Sequence, residues 1–226
     1  MTVYSHELPK LLGVTMCCRY YIEHDDPDIL HILERVNRSP LIPRFQETGD
    51  SFVSDGEIWP TAVVPAIATG RSGQVGFFPM KWGYTLPGAR PLFNARAETA
   101  GVKPTFREGW AAHRCVLPAS WYYEWQHEPM PNGKSRVTDK YAIRRSDGHM
   151  AWLCGLYRLE NNLPHFVILT REPSDAVRRI HDRMPLILPR EAIGEWVNPR
   201  CAPESLLPRA VTSLIAEKAD KEKLLR

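Results

Sequence analysis

A single α+β domain, built mainly of short and largely antiparallel strands with a few short helices, is the fold class this sequence predicts. Three observations lead there. Strand-like runs outnumber helical ones and do not alternate with them as a parallel α/β sheet requires. The length of 226 residues suits one domain on a prior of roughly 100–200 residues each. A hydrophobic fraction of 43% beside 24% charged residues is that of an ordinary globular chain.

The elements follow in order. Residues 1–15, MTVYSHELPKLLGVT, lack the basic start, long apolar run and small-residue cleavage site of a secretory signal and read as a leader. The domain proper is expected over 16–200. Cys17 to Ile22 reads as a short strand. Asp26-Pro27 then opens a helix, with an acid at the N-cap and proline at the first helical position. Ile29, Leu30, Leu33 and Val36 supply its apolar face through Asn37, and Pro40 and Pro43 end it. Residues 57–69 and 74–84 are β-rich and separated by Gly70-Arg71-Ser72-Gly73, the pattern of a hairpin. The glycines at 70, 73 and 76 are not a dinucleotide fingerprint, because the spacing differs and no helix follows. Further strands are expected at 114–126, 139–145, 150–157, 165–170 and 185–188, and short helices near 104–112, 173–180 and 190–197. Gln126 to Val137, with Asn132-Gly133, reads as a polar loop. The charged tail 201–226 is expected to end in a solvated helix over 213–225.

A formal charge of +3 is too small to announce nucleic acid by itself. Local clusters are the alternative, and Arg178, Arg179 and Arg183, or Arg19, Arg90 and Arg96, are candidates, each also readable as a solvated face. The five cysteines, at 17, 18, 115, 154 and 201, form no C-x-x-C and no recurring spacing, which argues against a zinc knuckle or a disulfide framework. A reduced cytoplasm fits, no metal or other cofactor is expected, and no apolar run approaches the roughly 18–20 residues that span a bilayer.

Met16-Cys17-Cys18-Arg19-Tyr20 carries the most chemistry. With Met16 as initiator and removed, Cys17 presents an α-amine and a thiol on adjacent carbons. An aldehyde condenses with the amine to an imine, and the thiol closes on the same carbon to give a thiazolidine. An α-amine titrates near about 7.7–8.0 and a thiol near roughly 8.5, so part of the amine is nucleophilic at neutral pH. Cysteine is also among the most buried residue types, which is the plainer reading of the pair taken alone.

Four segments stand together: Met16-Cys17-Cys18-Arg19, Asn94-Ala95-Arg96-Ala97-Glu98-Thr99, Trp121-Tyr122-Tyr123-Glu124-Trp125 and His181-Asp182-Arg183-Met184-Pro185-Leu186. In this order and at these separations the chain resembles the SRAP family of abasic-site processing proteins, over about residues 16 to 200. The resemblance implies a covalent sensor, possessing lyase-like chemistry, of abasic sites in single-stranded DNA during the DNA damage response. It implies that Cys17 is the nucleophile, that Asn94 holds the reacting group, and that Arg96 grips a flanking phosphate with its planar fork. Glu124 matches the glutamate that assists ring opening and imine formation. On a strand it shares a face with Ser120 and Tyr122, while Trp121, Tyr123 and Trp125 fill the other, an aromatic setting that desolvates the carboxylate. His181 matches an acid-base histidine beside the sugar and its phosphate. Arg19, Thr170 and Arg183 match positions near the DNA, and Trp82 fits either an aromatic stacked on a base or a core residue. The protein is expected to be a monomer of the cytoplasm, at the nucleoid when on DNA.

Three departures accompany the resemblance. Cys18 stands where the family commonly has glycine. Glu57-Ile58-Trp59-Pro60-Thr61 replaces a segment that often runs Arg-Tyr-Asn to Ala-Pro. The leader makes the nitrogen of Cys17 an amide, which forms no imine, so residues 1–16 must be absent from the active form, most simply through translation from Met16. Two rival functions remain open: an N-terminal-nucleophile cysteine peptidase, whose α-amine is the base for its own thiol, and a non-covalent single-strand binding module.

Overall fold

The computed structural model describes residues 19–130, 133 and 135–219. Cys17, Cys18, the leader and the end of the tail lie outside the described residues.

Strand β1 (Arg19–Ile22) is followed by helices α1 (Pro27–Val36) and α2 (Leu41–Glu47). Next come β2 (Gly56–Ile58), β3 (Val63–Thr69), β4 (Val75–Trp82), β5 (Asn94–Arg96), α3 (Ala97–Ala100) and α4 (Arg107–Ala112). The long central strands are β6 (Arg114–Ala119), β7 (Trp121–Pro129), β8 (Ser135–Arg145), β9 (Ala151–Glu160) and β10 (Leu163–Arg171). α5 (Asp175–Arg178), β11 (Met184–Pro185), β12 (Ile187–Leu188), α6 (Ile193–Val197) and β13 (Leu214–Lys218) complete the order.

Two sheets organise these elements. One runs β13-β8-β7-β1-β2; the other runs β11-β10-β4-β3-β6-β9-β12, with β5 attached to β10. Because β9 also pairs with β10, strands β10, β4, β3, β6 and β9 close on themselves as a small barrel. Closure leaves these strands no open edge. Between named strands every pairing is antiparallel except those of β10 with β4 and β5. The mostly antiparallel α+β expectation therefore holds, with barrel closure as the added feature. Val63–Ala68 of β3 and all of β6 are buried, covered on both faces, and so read as continuous apolar runs rather than alternating ones.

Arg114 fastens the chain after α6 to this barrel. Its guanidinium, 1% exposed, donates to the carbonyls of Trp196, Asn198 and Cys201 at 2.5, 2.5 and 2.9 Å, and to Trp110 and Ala111 at 2.6 and 2.8 Å. The last two are end carbonyls of α4, where a cation also meets the negative pole of the helix.

The β3–β4 hairpin is as expected, and Gly73 sits at φ +78°, a conformation that glycine adopts without a Cβ penalty. Asp26 caps α1 through the Asp28 amide at 2.8 Å. Five expectations change. The polar loop expected from Gln126 to Val137 is mostly strand, because β7 runs to Pro129 and β8 starts at Ser135. The apolar face of α1 is made by Ile29, Ile32 and Val36, whereas Leu30 is 53% exposed. The prolines at 40 and 43 do not end helical structure, because α2 begins between them. Pro43 lies in its first turn, where an amide has no intrahelical partner to lose. The run 114–126 is two strands in different sheets, parted at Ser120, whose amide bonds Tyr21 and whose hydroxyl accepts from the Glu23 amide. In its described part, the tail helix expected over 213–225 is instead β13, paired with β8 from Leu214↔Arg145 to Lys218↔Tyr141. Alternating charge there decorates an edge strand, and buried Pro203 and Leu206 pack the preceding turn onto the core. The described chain beyond Cys201 thus belongs to the packed unit.

Candidate functional site

Strand β10 gathers most of the expected site. On one side of it β5 sets Asn94 opposite Ile168 and Arg96 opposite Thr170; on the other, β11 sets Pro185 opposite Thr170. Thr170 is fully buried and its hydroxyl leans on the Ala95 carbonyl at 3.4 Å. Arg183 donates to the Thr170 carbonyl at 2.8 Å and to both oxygens of Glu98 at 2.9 and 2.7 Å. The described contacts of Thr170 and Arg183 are thus internal, and they lock β5–α3 against the turn before β11. Arg96, in contrast, is exposed and has no ion pair among the described residues.

His181 closes this turn. It is 6% exposed, its Nδ1 receives the Arg183 amide at 3.1 Å and lies 2.9 Å from Asp182, and its Nε2 is buried without a hydrogen-bond partner among the described residues. Burial lowers its pKa from the ordinary imidazole value of 6.5, Asp182 opposes that, and His127 adds to it. The ring is therefore neutral near physiological pH. Such a ring can accept or donate a proton.

Strand β7 brings in the carboxylate. Glu124 is 1% exposed and Tyr122, on the same face, is fully buried. The other face is the expected aromatic one: Tyr21 stacks on Trp121 at 4.3 Å, and Trp121 meets Tyr123 edge-on at 6.4 Å. Farther along β7, the Gln126 amide reaches the Arg179 carbonyl at 3.4 Å, and the His127 ring lies 6.2 Å from that of His181. The strand that carries Glu124 and the turn that carries His181 are joined in this way, although the two residues are 57 positions apart in the chain.

Arg19 lies on the outer face of the same sheet. Its guanidinium bonds Glu57 at 2.9 Å and sits 3.2 Å over the Trp59 ring and 5.0 Å from that of Trp125. Lys140 reaches Glu57 at 3.0 Å and lies 3.6 Å over Tyr123. Arg19, Glu57, Trp59, Trp125 and Lys140 line an open groove of about 670 Å³. In the sequence Glu57 and Trp59 stand out only as departures from the resemblance, and nothing there singles out Lys140 or His127. Nothing in their spacing joins them; the pairing of β1 with β2 and of β7 with β8 does.

Trp82 is a core residue. Its indole is fully buried, stacked on Phe166 at 6.0 Å and tilted against Tyr20 at 5.5 Å, so it offers no face to a base. Its Nε1 donates to the Phe93 carbonyl at 2.9 Å, holding the residue before Asn94. Cys115 and Cys154 are buried, and burial pushes both thiols well up. Such thiols are poor nucleophiles. Among the described residues no three His, Cys, Asp or Glu side chains are grouped to hold a metal, and no helix is long and apolar enough to cross a membrane.

The family model described as SOS response associated peptidase (SRAP) matches residues 16–223. The chain is 33% identical over 170 residues to abasic site processing protein YobE of Bacillus subtilis (strain 168), covering 67% of this chain and 74% of YobE. It is 32% identical over 126 residues to abasic site processing protein YedK of Escherichia coli (strain K12), covering 53% and 54% of the two chains. Among solved structures, a protein from Bacteroides thetaiotaomicron superposes with a TM-score of 0.68 at 20% identity, covering 93% of this chain and 95% of that one. A phage-related protein from Bordetella bronchiseptica gives 0.65 at 20% identity, covering 91% and 95%. At these identities the solved structures speak for the fold.

Proposed function

The chain belongs to the SOS response associated peptidase (SRAP) family, and from that premise we propose that it captures abasic sites in single-stranded DNA as a covalent thiazolidine at Cys17. One observation carries the reading. Glu124, a carboxylate withdrawn almost wholly from water, follows Tyr123, the residue that pairs with Arg19. Cys17 is two residues before Arg19, so covalent connectivity alone keeps their Cα atoms within roughly 7.6 Å.

The reaction balances without a cofactor. The abasic sugar opens to its aldehyde, and the α-amine of Cys17 adds to the carbonyl carbon. The carbinolamine loses water to an imine, and the thiol adds across it, its proton passing to nitrogen. Amine, thiol and aldehyde thus become thiazolidine and one water. Glu124 moves protons during ring opening and loss of water. His181, neutral and with a free Nε2, serves the sugar oxygen. Asn94 holds the reacting group and Arg96 takes the neighbouring phosphate, a contact that positions without reading sequence. One chain and one lesion suffice.

The chemistry requires a free amine on Cys17, so the reactive form lacks residues 1–16. The test incubates an abasic single-stranded oligonucleotide with two forms verified by intact mass, one beginning at Cys17 and one retaining the leader. The first gives a heat-stable adduct and the second does not; Cys17→Ala and Cys17→Ser abolish it. An adduct from the leader-bearing form, or an undiminished yield from Cys17→Ala, would move the attack to a lysine or another thiol. Non-covalent binding with no adduct from any form would favour the plain binding module.

A further inference from the structure

His127 lies outside the four segments that carry the family resemblance, yet the fold delivers it to His181. The two rings meet edge to face, with centroids 6.2 Å apart and planes at 81°. His127 Nδ1 and His181 Nε2 are both buried without a hydrogen-bond partner among the described residues. In a regular strand consecutive side chains point to opposite faces. Here Gln126 and His127 both reach the segment after α5, one through the Arg179 carbonyl and the other through the His181 ring. The ladder of β7 with β8 shifts register between Trp125 and His127, with the extra residue in β8, and an irregularity of that kind increases the local twist of the pair.

We propose that His127 is a positioning residue that packs edge to face on His181 and opposes its protonation, favouring the neutral ring that can accept a proton during ring opening. Two imidazoles this close in a partly dry site resist carrying two charges at once. Other charges near the pair are accounted for. Asp182, 2.9 Å from His181 in its own turn, favours the cation. The Arg183 guanidinium is turned to Glu98 of α3 and bonds the Thr170 carbonyl of β10, meeting His181 only through its amide. On β7, Glu124 lies three residues before His127, and Glu128 beside it pairs with Arg136 of β8 at 3.4 Å. Within this set His127 is the group whose charge opposes that of His181.

The inference rests on the proposed role of His181, and its test separates the two. The His181 ring is titrated by proton–nitrogen NMR in the free full chain and in His127→Gln and His127→Lys, and adduct formation is followed across the same pH range. Glutamine cannot charge, so the His181 midpoint rises; lysine holds its charge, so the midpoint falls. The acid limb of the rate profile moves with it in each variant. Midpoints that stay put, or move the same way in both variants, overturn the pairing, and His127→Gln alone decides if the lysine variant does not fold. Shifted midpoints with an unmoved rate profile leave the pair intact and remove His181 from the rate-limiting proton transfer. Shifted midpoints with no adduct in any form uphold the pair and defeat the proposed function instead.

Discussion

Arg183 grips both oxygens of Glu98, at 2.9 and 2.7 Å, and a third bond from the same guanidinium ends on the Thr170 carbonyl. A fork of donors matched to a carboxylate has a fixed geometry, and here it ties α3 to β10 and to the turn that carries His181. The arginine that resemblance placed near DNA is, in its described contacts, a clasp.

Arg183→Met therefore lowers stability, by about 2 kcal/mol, the typical worth of hydrogen bonds to a charged group when one end is partly in water. Urea midpoints measure it. Burial pushes the Glu98 carboxyl up, but the Arg183 bonds and neighbouring amides outweigh it and hold the group below 4.5. A carboxyl depressed on folding contributes stability that is present above its unfolded value and lost as pH falls through its folded value. The loss of stability between pH 6 and pH 3 is accordingly smaller in Arg183→Met than in the parent chain. Equal losses would show that Glu98 draws nothing from the clasp.

Trp82→Ala destabilises by about 3–5 kcal/mol, as removal of a buried tryptophan does. Trp82→Phe keeps most of the packing but leaves the Phe93 carbonyl with the Ile168 amide as its one remaining described donor. Because the indole is enclosed, the affinity of Trp82→Phe for abasic-free single-stranded DNA matches the parent. A stable Trp82→Phe with tenfold weaker binding would return Trp82 to a stacking role.

Glu124→Gln keeps the shape and removes the acid. Single-turnover adduct formation slows about a hundred- to ten-thousandfold, the usual worth of a positioned acid-base group, while equilibrium binding to the same strand is retained. Parent-like rates would reduce Glu124 to a structural residue of β7.

Arg96→Ala weakens binding and reduces the slope of log affinity against log salt by about one phosphate contact, roughly 0.7 for a single strand. Arg183→Met leaves the slope unchanged, since that guanidinium is committed to Glu98. A reversal of the two would exchange clasp and grip.

Elements whose signal is local were legible from the chain. Asp26-Pro27 opened α1, two glycines turned the β3–β4 hairpin, and the period-2 alternation around Glu124 put the carboxylate on one face and Trp121, Tyr123 and Trp125 on the other. The site motifs were legible for the same reason, each being contiguous. Element ends were less so. Pro43 was misread because a first-turn proline and a terminating proline differ only in what lies behind them. The segment at 214–218 was misread because alternating charge suits a surface helix as well as an edge strand, and only the open edge of β8 chose between them.

The sequence by itself determined which chemical groups the protein owns and the local conformations that turn and cap residues impose. Tertiary structure decided which of them meet. Parallel addition of β5 to β10 set Asn94 and Arg96 beside the His181 turn, and the pairing of β1 with β7 brought the start of the described chain to Glu124. It also buried Trp82, committed Arg183 to Glu98 and delivered His127 to His181. The physical reason is range. Capping and turn preferences act over a few residues, whereas burial and ion pairing depend on contacts between strands far apart in the chain, which exist only once the barrel has closed.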